Sequence, residues 1–300
     1  MAQKWTSKSR SKVFFHKLLI FFIKAGAANL CYFSLYFIVA FYLLLPSIRK
    51  NSAHYLNRRF PSDGRIKRFF RTYRLNLTFG KILMDRAVFG LIGKTKIVPT
   101  LDEKNKFFEL YSKNNALIVL TAHCGCWQIA MSAFDFIEGD KFVVYHRDRD
   151  DIDKHIHELA GRAAPVQFID PSDMFGGGIE VMARLSKGAV VSMMGDRTFG
   201  SKNSGVLVNF LGGRVELPFS VYRIAGALNV PIAVVFFPYG GKGKKIDFFV
   251  SDVFFVKDKG RLKDSYIEDA QKFADCLEDF VAKYPYQFYN YFNMWEEKND

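Results

Sequence analysis

Two short stretches bring together residue types suited to acid–base chemistry. The first is Thr121-Ala122-His123-Cys124-Gly125-Cys126-Trp127-Gln128, which closes the apolar run beginning at Ala116. The second is Met194-Gly195-Asp196-Arg197-Thr198, which closes the run beginning at Ala189. A histidine at the end of a strand, followed by a turn of small residues, can act as a general base near neutral pH. It needs a partner on its other ring nitrogen to fix its tautomer. A side chain five positions on, Gln128, stands within reach across the turn. Taken alone, such a histidine is more often structural than catalytic. Arg197 has the fork geometry that holds a phosphate or a carboxylate, or it forms a structural pair with Asp196. Arg147, in Tyr145-His146-Arg147, ends another strand-like run.

His123, Cys124 and Cys126 also resemble soft metal ligands. A tetrahedral site needs a fourth donor, and no second cysteine pair stands at a suitable spacing, so no metal is expected. A cysteine nucleophile beside His123 is conceivable. A small buried thiol at a strand–helix junction is the simpler account. The chain has four cysteines, Cys31, Cys124, Cys126 and Cys276. Such a number in 300 residues makes no disulfide framework and suits a reducing compartment.

Elements that could position these residues follow from Ala116 onward. Short β-rich runs occur at 116–122, 142–146, 165–169, 189–194, 206–210, 231–237 and 247–255. Helical stretches are expected near 127–137, 150–163, 176–187, 217–228 and 263–283. Strands alternating with helices predict an α/β fold with a mostly parallel sheet flanked by helices. Residues 200–216 carry no helical pattern and are expected to form an extended excursion or hairpin. In open α/β sheets chemistry gathers beyond the carboxyl ends of the strands, which is where His123 and Asp196 stand.

The first hundred residues differ in character. They hold 19 Lys+Arg against two acids, Asp63 and Asp85, whereas the remainder is slightly acidic. The basic excess thus belongs to one third of the chain. Either nucleic acid or an anionic membrane surface would attract it. Ala25–Pro46 carries no charge over a length that an α-helix needs to cross a bilayer. It is longer than the apolar region of a cleaved signal peptide; a buried core helix is the remaining alternative. Bases crowd both flanks, so the positive-inside rule does not orient the segment. The segment therefore spans, lies in the interface or re-enters. Gly64–Gly90 reads as a helix whose first half mixes Arg65, Lys67, Arg68, Arg71 and Arg74 with Phe69, Phe70 and Tyr73, a pattern suited to lipid headgroups or to a solvated face. The chain divides into a basic tail with a membrane-associated hydrophobic helix over 1–50 and an α/β domain over 51–300. No nucleic-acid reader motif is present.

The succession TAHCGCWQIA, YHRDR, GDRTFG, VLVNFLGGRVELP and PIAVVFF resembles the bacterial lipid A late acyltransferases, within the lysophospholipid acyltransferase superfamily. The resemblance covers about residues 15–295 and includes the N-terminal apolar segment. Tyr284-Pro285-Tyr286-Gln287-Phe288 is similar to the family's late His-Pro-Glu-Gln-Trp-type segment. The resemblance implies a glycerolipid-acyltransferase-like fold at the bacterial inner membrane, with the catalytic domain on the cytoplasmic side. It implies an acyl donor, acyl carrier protein or coenzyme A, and a lipid or glycolipid acceptor whose hydroxyl or amine is acylated. No cofactor is implied. His123 would be the base, Arg197 would bind an anionic part of the substrate with help from Arg147, and Gly212, Gly213 and Pro218 would lie near the acyl channel. Backbone N–H groups near Gly125 would stabilise the oxyanion.

One position departs from the family pattern of His, four residues, then Glu or Asp: the acidic place holds Gln128. Glutamine accepts a hydrogen bond but gives no charge to an imidazolium. Three readings follow. Gln128 orients His123; or another carboxylate, Asp196, does so; or the chain is a catalytically degenerate member that binds lipid.

Overall fold

The structure is a computed structural model that describes residues 13–92, 100–127, 139–145, 167–171, 177–198, 205–240 and 248–296. Four helices come first: α1 (Val13–Lys24), α2 (Ala28–Tyr42), α3 (Pro46–Arg59) and α4 (Arg65–Ile92). Gly26, at φ +80°, separates α1 from α2, a left-handed conformation that costs other residues about 1–2 kcal/mol. Pro46 opens α3, where its missing N–H has no helical partner to lose. The axes of α2 and α3 meet at 96°.

The expected membrane helix over 25–46 is therefore not one helix. α2 has 15 residues, about 22 Å at 1.5 Å per residue, against a hydrocarbon core of about 30 Å. Among the described residues no single helix is long and apolar enough to cross a membrane, although the bent pair α2–α3 together has the length and composition. α2 is instead two-sided. Cys31, Tyr32 and Val39 are buried, while Leu30, Phe33, Phe37, Phe41 and Leu44 are exposed. The buried side meets α4, where Gly80 lets Leu35 and Val39 approach closely. Tyr32 donates its hydroxyl to Asp85 on α4. Ile23, Cys31, Tyr32, Met84 and Ala87 form a small core distinct from the main one.

The basic start of α4 is partly turned inward. Arg71 pairs with Asp63, donates to the Tyr286 hydroxyl at 2.7 Å and lies over the Phe60 ring. Arg74 stacks over Tyr286. Arg65, Ile66, Lys67 and Phe70 stay exposed.

Helix α5 (Leu101–Asn114) starts with Thr100 accepting from the Glu103 amide and ends on left-handed Asn115. The sheet follows: β1 (Leu117–Thr121), β2 (Lys141–Val144), β3 (Gln167–Ile169), helix α6 (Gly178–Leu185), β4 (Val190–Met194), the hairpin β5 (Gly205–Phe210) and β6 (Gly213–Pro218), helix α7 (Ser220–Leu228), β7 (Ile232–Phe236) and β8 (Phe249–Phe254). The chain closes with a short 3₁₀ turn and helix α8 (Ile267–Lys283). The main sheet runs β3-β2-β4-β1-β7-β8. Neighbours from β3 to β7 are parallel, and β8 joins β7 antiparallel. β1 is buried at every position, as a central parallel strand covered on both faces must be. The expected α/β fold with a mostly parallel sheet is therefore present, and the expected excursion near 200–216 is the β5–β6 hairpin. The expected helices near 127–137 and 150–163 lie outside the described residues, save Trp127.

Candidate active site

Strand register alone brings the two motifs together. β1 and β4 pair in parallel, with Thr121 opposite Met194. His123 and Asp196 each lie two residues beyond that pair. They leave the same end of the sheet side by side, and the Gly195 amide donates to the Thr121 carbonyl at 2.8 Å. Their side chains meet: His123 Nδ1 is 2.9 Å from Asp196 Oδ1 and 3.1 Å from Oδ2.

Both groups are shielded from water, with side-chain exposures of 13% for His123 and 1% for Asp196. Burial, seconded by the Arg197 charge, pushes the His123 imidazole below its ordinary range against the pull of Asp196. Burial opposes ionisation of Asp196, but His123 and Arg197 outweigh it and hold the carboxyl below its usual range. The pair is thus a neutral imidazole on an ionised carboxylate. A carboxylate accepts, so Nδ1 carries the proton and Nε2 carries the lone pair. That is the arrangement of a base whose tautomer is fixed from behind.

The turn after β1 is locked by its backbone. Gly125 has φ +53°, and a Cβ there would sit 2.0 Å from the Phe237 carbonyl oxygen. Its amide donates to the Gln287 carbonyl at 2.8 Å, and the Cys126 amide donates to the Phe237 carbonyl at 2.7 Å. Both N–H groups are engaged within the fold, so an oxyanion must draw its donors from elsewhere. Burial pushes the Cys124 and Cys126 thiols up. That disfavours the thiolate a nucleophile or metal ligand requires.

The segment after α8 forms the far wall. Phe288 bridges Cys124 in antiparallel fashion, and the Tyr289 amide donates to the His123 carbonyl at 2.9 Å. Gln287 holds Tyr239 at both ends: its Oε1 accepts from the Tyr239 amide at 2.7 Å, and its Nε2 donates to the Tyr239 carbonyl at 2.9 Å. Phe79 of α4 lies parallel to Trp127, with ring centroids 6.4 Å apart, and Tyr289 packs against both. Trp127 in turn is 5.6 Å from the His123 ring. An aromatic wall therefore joins α4 to His123.

The other expected site residues fall as follows. Arg197 is beside Asp196 but buried, with 7% of its side chain exposed. Gly213 opens β6 under the Arg58 guanidinium and the Trp295 indole, where a Cβ would find no room. Gln128 and Arg147 lie outside the described residues. The sequence reading missed Phe79, Trp127 and Tyr289 as wall residues. Their aromatic type in a Phe- and Tyr-rich chain gave no signal, although the resemblance had pointed to the neighbouring segment 284–288.

The bacterial lipid A biosynthesis acyltransferase family model matches residues 77–296. The chain belongs to that family. It is an acyltransferase by that membership, and a lipid acceptor and an acyl donor are the family's general substrates. No curated protein matches the chain.

Proposed function

We propose that this acyltransferase moves a fatty acyl chain from an acyl thioester to a hydroxyl or amine of a lipid or glycolipid at the bacterial inner membrane. His123 is the general base and Asp196 its partner. The observation that carries the reading is the contact of His123 Nδ1 with both oxygens of Asp196, at 2.9 and 3.1 Å.

The step balances without a cofactor. His123 Nε2 takes the acceptor proton as the acceptor oxygen or nitrogen attacks the thioester carbonyl. A C–O or C–N bond forms, and the carbonyl oxygen becomes an oxyanion. Collapse of that intermediate breaks the C–S bond. The leaving thiolate, on acyl carrier protein or coenzyme A, recovers the proton from the imidazolium. Asp196 stabilises the imidazolium between the two transfers. It thereby supplies the charge that Gln128 lacks, which favours an active enzyme over a degenerate lipid binder.

Membrane attachment belongs to the same reading. The exposed stripe Leu30, Phe33, Phe37 and Phe41 on α2, with Leu44 just beyond it and Phe21 of α1, suits the apolar layer of one leaflet. Arg65 and Lys67 beside exposed Ile66 and Phe70 suit anionic headgroups.

Lipid mass spectrometry of membranes from a host expressing the wild-type chain or His123→Ala tests the reaction. A newly acylated lipid that is absent with His123→Ala is expected. The same new lipid in both would remove His123 from the chemistry. No new lipid from folded wild-type protein would favour the lipid-binding alternative.

A further inference from the structure

The family resemblance gave Arg197 to the substrate, yet its surroundings face the other way. Its Nη2 donates to the Tyr289 carbonyl at 2.9 Å. Its Nε lies 3.6 Å from Asp196 Oδ2. Its guanidinium carbon sits 5.2 Å from the centre of the Phe292 ring. A clamp for a phosphate or carboxylate presents its fork to the incoming anion. Here one arm is committed to a backbone carbonyl, and the side chain is almost wholly covered by protein.

These contacts close a circuit. The Tyr289 amide holds the His123 carbonyl, the Tyr289 carbonyl holds Arg197, Arg197 flanks Asp196, and Asp196 holds the His123 ring. Building on the His123–Asp196 reading above, we propose that Arg197 is a positioning residue that fixes Asp196 against His123 and sets the protonation state of the base, and that it does not bind substrate.

The charges around His123 bear this out by sign. Asp196 and Arg197 face it from the end of β4, Tyr289 from the closing segment, and Cys124 and Cys126 from its own turn. Asp85 of α4 lies farther back, near Cys126. Burial pushes the Tyr289 phenol and both thiols up, so they are neutral near pH 7. Among the described residues, the charges that act on the imidazole are the Asp196 anion and the Arg197 cation. The Arg197 charge opposes imidazolium formation, so its removal makes His123 easier to protonate.

The test uses the purified full-length chain in mixed micelles with a lipid A precursor as acceptor and a dodecanoyl thioester as donor. Steady-state rates are measured from pH 5 to 9 for wild type, Arg197→Gln, Arg197→Lys and His123→Ala. For Arg197→Gln the expectation is a kcat lower by about tenfold to a hundredfold. Acceptor KM should stay within about twofold, because substrate binding is untouched. The acidic limb of kcat/KM, which reports the base, should move to higher pH. Arg197→Lys restores the charge and should return the limb towards its wild-type position.

A rise in acceptor KM of about tenfold with kcat and the limb unchanged would make Arg197 an anion clamp and overturn the proposal. If Arg197→Gln does not fold, Arg197→Lys still separates the two: a clamp loses KM, whereas a positioning residue loses kcat. Retained activity in His123→Ala would overturn the base assignment itself. Loss there together with a clamp signature at Arg197 would overturn only the present inference.

Discussion

A general base must be unprotonated when its substrate arrives. Burial and the neighbouring Arg197 hold the His123 imidazole below its ordinary pKa of 6.5. The base is therefore neutral above that value and is lost only as the pH falls through a lower one. We expect the acidic limb of kcat/KM to have its midpoint below pH 6.5, as read from a pH–rate profile; a midpoint above 6.5 would contradict the shift. His123 was legible in the sequence because a strand end followed by small residues is where a base can stand. Asp196 was legible only as one of two possible partners. Gln128 is near in the chain and Asp196 distant, and only the register of β1 on β4 decides that the distant residue is adjacent. Arg197 was legible as a cation but not as a buried one, since burial depends on Tyr289 and Phe292 folding back over it.

At the scale of elements, the turn after β1 and the closing segment hold each other. Gly125 combines a left-handed backbone with a carbonyl oxygen where a Cβ would stand. Gly125→Ala should destabilise the fold by about 2 kcal/mol or more, measured by denaturant unfolding. Gln287→Ala leaves the Tyr239 amide and carbonyl without their side-chain partner. A loss of about 1–3 kcal/mol is expected, as read from denaturant unfolding; unchanged stability would show water replacing the amide without cost. The seven strands of the sequence reading lie where β-branched runs placed them, since a buried parallel strand is a nearly continuous apolar run. The N-terminal apolar segment is broken into two helices for a related reason. Apolar content sets the length of a span, but Gly26 and Pro46 set where a helix stops. The capping pattern Thr100-x-x-Glu103 marked the start of α5, and the sequence reading passed over it.

For the whole molecule, the small core between α2 and α4 and the large core under the sheet meet along one helix. α4 carries Met84 and Ala87 into the first and Phe79 to the aromatic wall beside His123. The apolar face of α2 proposed to meet lipid is thereby linked to His123 by one continuous element. Replacing Phe33, Phe37 and Phe41 together by Ser should release the chain from vesicles containing anionic lipid in a flotation assay. Each buried Phe contributes about 1.5–3 kcal/mol to such a transfer. Retention of the triple variant would place the contact elsewhere. The charge division of the sequence showed which third of the chain is basic. It could not show that Arg71 and Arg74 turn to Tyr286 and leave Arg65 and Lys67 outside.

The central claim is that Asp196 supplies the charge behind His123. The most direct measurement is the acyl-transfer rate of Asp196→Asn beside Gln128→Glu, both in folded protein. The amide keeps the shape but removes the charge and disturbs the tautomer, so the rate should fall by about 10²–10⁴-fold, while Gln128→Glu changes it little. A near-wild-type rate for Asp196→Asn, with a large gain for Gln128→Glu, would contradict the account.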